Sequence, residues 1–184
     1  GMTVAYAELH ALSNFTFLRG ASHPEELVEQ ADALGYEALA LTDECSFAGV
    51  VRGHVAARGR RARLIVGSEL QPVDAPKLVL LATERTAYGR LCALVTEARR
   101  AAPKGSYHLT RAMLDAADLR GCLALWPATL SASEADAVWL KERFGADAAL
   151  AVELVADGRD RERLERLPAL ANAHGLAVTA SGDV

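Results

Sequence analysis

The sequence predicts an α/β fold, either a βα barrel or a doubly wound sheet. Short apolar runs alternate with amphipathic stretches along the whole chain. Such alternation is typical of strands that are separated by helices in a mainly parallel sheet. The length of 184 residues suits one domain with a sizeable core. We therefore expect all of the βα units to belong to a single domain.

Strands are predicted where a short apolar run stands between two polar stretches. These runs cover residues 4–12, 37–42, 63–70, 77–83, 122–127, 148–155 and 176–181. Residues 71–76, QPVDAP, lie between two predicted strands, hold two prolines and are too few for a helix. We expect a local hairpin there and parallel crossovers at the other connections.

Helices are predicted at residues 23–34, 46–58, 86–100, 109–118, 131–144 and 159–174. Two of them begin with the spacing of a capping box, Ser22 with Glu25 and Ser131 with Glu134. Pro168 lies inside the last predicted helix and is expected to kink or divide it. A glycine follows the predicted end of four helices, at Gly35, Gly59, Gly145 and Gly175.

Composition and charge exclude several classes of protein. The net charge of −4 gives no support to a strongly basic nucleic-acid binder. The cysteines Cys45, Cys92 and Cys122 are odd in number and lack CxxC spacing, so a disulfide framework is not expected and a reducing cytoplasm fits. No apolar stretch approaches the roughly 20 residues that span a membrane, and no signal peptide is predicted at the N-terminus.

Polar residues stand at the predicted ends of several strands. They are His10, Asp43, Glu44, Glu69 and Asp183. In a parallel barrel the carboxyl ends of all strands meet at one rim, where active sites lie. Carboxylates mixed with imidazole suit Zn²⁺, Mn²⁺ or Mg²⁺. A metal cluster of this kind would activate a water for attack on a phosphate ester.

Each of these residues also has a purely structural interpretation. His10 alone fits a hydrogen-bonded core histidine, and Asp43 fits a cap of the helix predicted to begin near residue 46. Glu69 fits a solvated residue before a loop, and Asp183 fits an unstructured chain end. The basic residues Arg52, Arg58, Arg60, Arg61 and Arg63 fit either a phosphate contact or a solvated helix end and loop.

Five segments in order resemble the PHP (polymerase and histidinol phosphatase) domain. They are AELHALSNFTFLRGAS, ALALTDECSFAGVVR, GSEL, KLVLLATERTAYGRLCALVT and VTASGDV. Within that family they are most similar to the N-terminal domain of bacterial C-family DNA polymerases of the error-prone, translesion branch. The resemblance implies a distorted seven-stranded βα barrel of TIM-like type. It also implies that residues 2–184 are one PHP domain taken from a longer polymerase chain, with Gly1 as a tag remnant.

Active members of that family bind up to three metals, and the resemblance assigns the candidate ligands one by one. His10 matches the first histidine of a His-x-His pair, and Leu12 replaces the second. Asp43 matches the aspartate of a Thr-Asp-His motif whose histidine is replaced by Glu44. Glu69 matches the glutamate of Gly-x-Glu, and Asp183 matches the aspartate of the last motif.

Further positions depart from the family pattern. Lys77 stands where similar strands carry a histidine, and Pro127 or Ala128 falls where a cysteine or serine is often seen. We expect the Lys77 ammonium to replace a cation and to pair with Asp43 or Glu69. The predicted site is therefore vestigial or partial. Weak binding of a single Zn²⁺, Mn²⁺ or Mg²⁺ ion and the binding of no metal both stay open.

Two main functions follow from the resemblance. The first is a mainly structural N-terminal domain of an error-prone DNA polymerase, which acts in translesion synthesis and DNA repair. Its expected partners are the remainder of the polymerase chain, DNA through the parent polymerase and translesion accessory proteins, with no membrane. The alternative is a metal-dependent phosphoesterase, either a 3′–5′ exonuclease or a small-molecule phosphatase. A third reading, a sugar-phosphate barrel enzyme, requires a Gly-rich phosphate loop, for which TASGDV is a poor candidate.

The end of the chain carries one more expectation. VTASGDV resembles the last barrel strand, so the barrel is expected to lack its last segment. A barrel without that segment exposes an apolar face or a sheet edge. We expect this chain to cover the exposed surface by self-association.

Overall fold

The computed structural model describes residues 17–19, 38–44, 63–82 and 84–182. Within these ranges, seven strands form one sheet in the order of the chain. They are β1 Phe17–Arg19, β2 Ala38–Glu44, β3 Arg63–Leu70, β4 Leu78–Ala82, β5 Cys122–Ala128, β6 Ala148–Leu154 and β7 Ala177–Gly182. The predicted α/β class is confirmed. The pairings found within these ranges do not include one between β7 and β1, which is the pairing that would close a barrel.

The strands are parallel except at β4. The connection 71–77 is a hairpin, as predicted, so β4 runs antiparallel to β3. The expectation that all other neighbours are parallel is wrong for β4 and β5, which are antiparallel. The hairpin reverses β4 alone, and β5 returns to the direction of β3. One edge of the sheet, which we call the carboxyl edge, therefore holds the carboxyl ends of the other strands and the amino end of β4.

The helices that the structure describes are α1 Arg85–Arg100, α2 Arg111–Ala116, α3 Glu134–Phe144 and α4 Asp160–Ala173. Each lies within one or two turns of its predicted bounds. Helix α1 buries one stripe of small and aliphatic side chains, as a helix packed on a sheet requires. The buried residues of this stripe are Ala87, Leu91, Leu94, Val95 and Ala98.

One local prediction about the helices is wrong, and a second is wrong in one of its two alternatives, the division of the last helix at Pro168. The cap of α3 is Ser133, whose hydroxyl accepts from the Asp136 N–H at 3.2 Å. The predicted cap Ser131 instead shares a hydrogen bond with the Thr129 hydroxyl. Pro168 does not divide α4, which continues as one helix from Asp160 to Ala173. Leu167 and Ala171 are buried on either side of the proline and hold both halves of the helix in place.

Both faces of the central strands are buried. Leu78, Leu80 and Ala82 of β4 pack with the helices, together with alternate residues of β5 and β6. Val79 and Leu81 point to the opposite face and are also buried, as are Leu123, Leu125, Ala149 and Ala151 of the neighbouring strands. Burial on both faces is typical of a sheet that has helices on one face. Its other face packs on a second layer or, in a barrel, on the sheet itself.

Several predicted elements lie outside the described residues. They are the strand at 4–12 and the helices at 23–34 and 46–58. Strand β1, Phe17–Arg19, lies in a stretch for which no element was predicted. None of the described helices is long and apolar enough to cross a membrane.

Candidate functional site

Strand register brings three of the predicted site residues to the carboxyl edge. Strands β2 and β3 are parallel, with Asp43 opposite Ser68 and Glu44 opposite Glu69. All four residues belong to the last two or three positions of their strands. His10, Leu12 and Asp183 lie outside the described residues. The assignment of His10, Asp43, Glu44, Glu69 and Asp183 as metal ligands thus stays a prediction.

Glu69 is a buried carboxylate with a lysine beside it. It stands opposite Val79 of β4, on the sheet face away from the helices. Its side chain is 12% exposed, and its Oε1 forms a salt bridge with Nζ of Lys77. The interpretation of Glu69 as a solvated residue is therefore wrong. A buried carboxylate requires a compensating charge. The Lys77 ammonium supplies it, and the pair with Glu69 is one of the two pairings predicted for Lys77, the other being with Asp43.

The connection that carries Lys77 is fixed by hydrogen bonds to the segment that follows α1. The Gln71 N–H donates to the Tyr107 hydroxyl at 3.1 Å, and the Val73 N–H donates to a backbone carbonyl at 2.9 Å. The Asp74 carboxylate accepts from the N–H of Arg111, the first residue of α2, at 2.6 Å. These bonds hold the hairpin at the carboxyl edge, next to the end of β3.

The described part of this edge does not fit a metal cluster. Within the ranges that the structure describes, no three His, Cys, Asp or Glu side chains stand close enough to hold an ion together. Pro127 and Ala128, at the end of β5, carry no donor atom in their side chains. Glu69 is itself engaged by an ammonium. We therefore derive no catalytic step through a metal.

A second acidic group at this edge is also neutralised by a cation. In the loop between β6 and α4, Asp160 accepts from the N–H groups of Val155 and Ala156 at 3.1 and 2.9 Å. These backbone donors, with Arg163, lower the pKa of Asp160 below its ordinary value. Arg163 also donates to Asp157 at 2.7 Å, and this bond holds the pKa of Asp157 well below its ordinary range.

Glu153 is a residue of this edge that the sequence analysis did not single out. It is half-buried near the end of β6. It shares a face with Ala149 and Ala151, away from the helices. The next strand carries a buried hydroxyl on that face, because Thr179 stands opposite Ala151 and its Oγ1 finds no hydrogen-bond partner among the described residues. The alternation of side chains between the two faces of β6 was the signal that could have revealed Glu153.

Comparison with known sequences identifies the family. A sequence model of the PHP domain matches residues 8–159. An error-prone DNA polymerase of Dechloromonas aromatica is 54% identical over 183 residues, which are 97% of this chain and 18% of that protein. An error-prone DNA polymerase of Aromatoleum aromaticum is 55% identical over 184 residues, which cover 96% of this chain and 17% of that protein. The chain thus spans less than a fifth of the length of these relatives.

Solved structures show a similar fold. A protein of Bifidobacterium adolescentis, provisionally named as a metal-dependent phosphoesterase, aligns with a TM-score of 0.63 over 91% of this chain and 86% of its own, at 15% identity. An amidohydrolase of Chromobacterium violaceum, with bound sulfate and no metal, aligns with a TM-score of 0.60 over 92% of this chain and 87% of its own, at 14% identity. At such low identity the likeness establishes the fold alone.

Proposed function

The chain belongs to the PHP domain family, and we propose that it is the N-terminal domain of an error-prone DNA polymerase with a mainly architectural role. Its relatives support this placement, because error-prone DNA polymerases match it along nearly its whole length and are more than five times as long. On this proposal the remainder of the polymerase chain is the principal partner. DNA synthesis, translesion synthesis included, takes place in parts of the polymerase outside these 184 residues.

The ion pair between Lys77 and Glu69 carries the architectural part of the proposal. A catalytic metal cluster needs several donors that are free to bind the ion and are held rigidly. Among the acids of the family pattern, Glu69 is the one whose side chain the structure describes at this edge. Its carboxylate forms a salt bridge with the ammonium of Lys77. The lysine charge takes the place of a cation. The edge is therefore stabilised by a fixed charge of the protein and needs no bound ion.

The proposed architecture is a distorted barrel of PHP type. Sequential strand order from β1 to β7 and burial of both faces of β4 support it. Closure would pair the two outer strands with each other or with residues outside the described ranges. The proposed domain covers residues 2–184.

One observation favours a second function, a metal-dependent phosphoesterase. Glu44 and Glu69 stand opposite each other at the ends of β2 and β3, and paired carboxylates suit divalent cations. His10, Asp43 and Asp183 would complete the ligand set, and Lys77 would have to leave Glu69. A single weakly held Zn²⁺, Mn²⁺ or Mg²⁺ ion is the cofactor of this alternative.

Metal content and hydrolysis distinguish the two functions. The 184-residue chain would be incubated with Zn²⁺ and with Mn²⁺, desalted and analysed for bound metal, and the same samples would be assayed with bis(p-nitrophenyl) phosphate. The architectural proposal expects less than about a tenth of an equivalent of metal and no turnover. Turnover that is lost in Asp43→Ala and retained in Glu165→Gln, with one or more ions bound, would overturn it. Glu165 is the control because it is an exposed carboxylate within α4 and is not one of the predicted ligands.

A further inference from the structure

A basic pocket lies where α1 ends. Its lining consists of Thr96, Arg99, Arg100, Lys104, Gly105 and Ser106, around a cavity of about 290 Å³. Three of the six carry a positive charge and two carry a hydroxyl. We call it the basic pocket. The chain as a whole has a net charge of −4, so a local cluster of three cations differs in sign from the protein's overall charge.

Two of the three positive charges of the basic pocket, those of Arg100 and Lys104, are available for a ligand. Neither Arg100 nor Lys104 forms an ion pair or a side-chain hydrogen bond within the part of the chain that the structure describes. Their side chains form no hydrogen bonds with the last carbonyls of α1, three of which already accept from backbone N–H groups. These acceptors are the carbonyls of Glu97, Ala98 and Arg99. An exposed guanidinium and an exposed ammonium beside each other favour a ligand with several anionic oxygens.

The loop that completes the basic pocket has a defined shape. Gly105 has a φ of +91°, a conformation that an L side chain adopts only at a cost. The Ser106 N–H donates to the Pro103 carbonyl at 3.0 Å. This turn leads directly into Tyr107, whose hydroxyl accepts from Gln71. Since Gln71 is two residues beyond Glu69, the basic pocket and the candidate site lie at the same edge of the sheet.

An open surface cavity fits a chain of phosphates better than a single small anion. Each of the six lining residues is exposed, so an isolated phosphate ion would keep most of its water and gain little. Consecutive phosphodiesters gain from each cation in turn, because every contact releases counterions from the strand. Arg99, Arg100 and Lys104 lie within six positions of one another and present such a series.

We propose that the basic pocket binds backbone phosphates of a single-stranded DNA segment. The choice of DNA rests on the proposed function, whereas the choice of phosphate rests on the pocket itself. Binding is independent of base sequence, since cations that contact phosphates carry no information about the bases. A strand held there would run along the carboxyl edge, past the connection that carries Lys77.

Fluorescence anisotropy with a labelled 20-nucleotide oligothymidylate tests the proposal. The unaltered 184-residue chain would be compared with the triple variant Arg99→Gln, Arg100→Gln, Lys104→Gln over a range of salt concentrations. Each phosphate contact contributes about −0.7 to the slope of log K against log salt. The triple variant should bind at least about tenfold more weakly at low salt and have a slope less negative by about 2.

A charge-matched control separates the basic pocket from the net charge. Arg159→Gln, Arg161→Gln and Arg166→Gln remove three exposed cations from α4 and its start. This control should keep the affinity and the slope of the unaltered chain. An equal loss in both triple variants would overturn the proposal, as would displacement of the oligonucleotide by inorganic phosphate at an equal concentration of phosphate groups.

The outcome is independent of the test of the proposed function. A chain that holds no metal and has no turnover, yet fails to bind the oligonucleotide, would keep the architectural role and lose the basic pocket. A chain that hydrolyses phosphodiesters and binds the strand through these three residues would lose the architectural role and keep the basic pocket. Circular dichroism of both triple variants checks that they are folded.

Discussion

The ammonium of Lys77, one residue before β4, forms a salt bridge with the buried carboxylate of Glu69, near the end of β3. Glu69 belongs to β3 and Lys77 is the last residue of the connection 71–77, so the contact is local in sequence. It stands at the carboxyl edge, to which the resemblance to the PHP family assigns the candidate metal ligands. The positive charge of Lys77 compensates the buried negative charge of Glu69 there.

We expect Lys77→Gln to destabilise the fold. It removes the counter-charge of the buried Glu69, and loss of one partner of a fully buried pair costs about 3–5 kcal/mol. Lys77 is 41% exposed, so water screens part of the charge and we expect a loss of about 1–3 kcal/mol. Urea unfolding followed by circular dichroism measures the change. Lys104→Gln, which removes an unpaired exposed lysine, is the matched control and should change the stability by less than about 0.5 kcal/mol. Equal effects of the two substitutions would contradict the assignment of Lys77 as a counter-ion.

We expect Lys77→His to raise the affinity of the chain for Zn²⁺. The substitution removes the competing ammonium from Glu69 and places an imidazole, a preferred zinc ligand, at the same position. Isothermal titration should show binding roughly tenfold tighter or more than in the unaltered chain. Lys77→Gln removes the charge without adding a donor and thus isolates the effect of the imidazole. If both variants bind Zn²⁺ equally, the position does not face an ion.

Much of the fold follows from the sequence because the signals are local. The predicted bounds of β3 are those of the structure, Arg63–Leu70, since an apolar run ends there at the two prolines of QPVDAP. The reversal at β4 was also predicted from that connection. The antiparallel pairing of β4 with β5 was not, because it depends on which strand lies beside β4, and the sequence of neither strand encodes this directly.

The candidate site was predictable in part for the same reason. The pairing of Lys77 with Glu69 was one of two predicted pairings, the other being with Asp43, and it is the local one, because only eight positions separate the two residues and a hairpin joins them. Glu153 was missed because a single carboxylate in an apolar strand resembles a residue at a strand end facing water. The basic pocket was missed because Arg99 and Arg100 belong to a helix and Lys104 to a loop. Only the turn at Gly105 brings them around one cavity.

We expect two glycine-to-alanine substitutions to change stability in opposite directions. Gly121 has a φ of +82°, and a Cβ there would lie 2.7 Å from Oε1 of Glu84 and 3.1 Å from Cβ of Ala87. Gly121→Ala should therefore cost about 1–3 kcal/mol. Gly89 is exposed within α1 and has no atom within 4 Å of such a Cβ, so Gly89→Ala should stabilise by about 0.5–1 kcal/mol. Urea unfolding of both variants provides the comparison, and a stabilising effect of Gly121→Ala would show that the turn before β5 is formed differently.

We expect Asp160→Asn to weaken the fold in a pH-dependent way. The ionised carboxylate of Asp160 accepts from Val155, Ala156 and Arg163, so its pKa is lower in the folded chain than in the unfolded one. For a carboxyl group of this kind, the stabilisation is fully present above the unfolded pKa of about 3.9 and is lost as the pH falls through the lower folded value. The difference in unfolding midpoint between Asp160→Asn and the unaltered chain should thus be constant near neutral pH and shrink below about pH 4.

The control for this effect lies on the same helix. Glu165→Gln also removes one negative charge from α4, but Glu165 is exposed and accepts none of the hydrogen bonds that hold the loop between β6 and α4. Urea midpoints of the three chains would be measured between pH 7 and about pH 2.5, where an ordinary aspartate is protonated. A difference for Asp160→Asn that persists unchanged at the lowest pH would mean that the shape of the side chain, and not its charge, organises the loop. A loss in Glu165→Gln of the same size would assign the effect to the net charge of the helix.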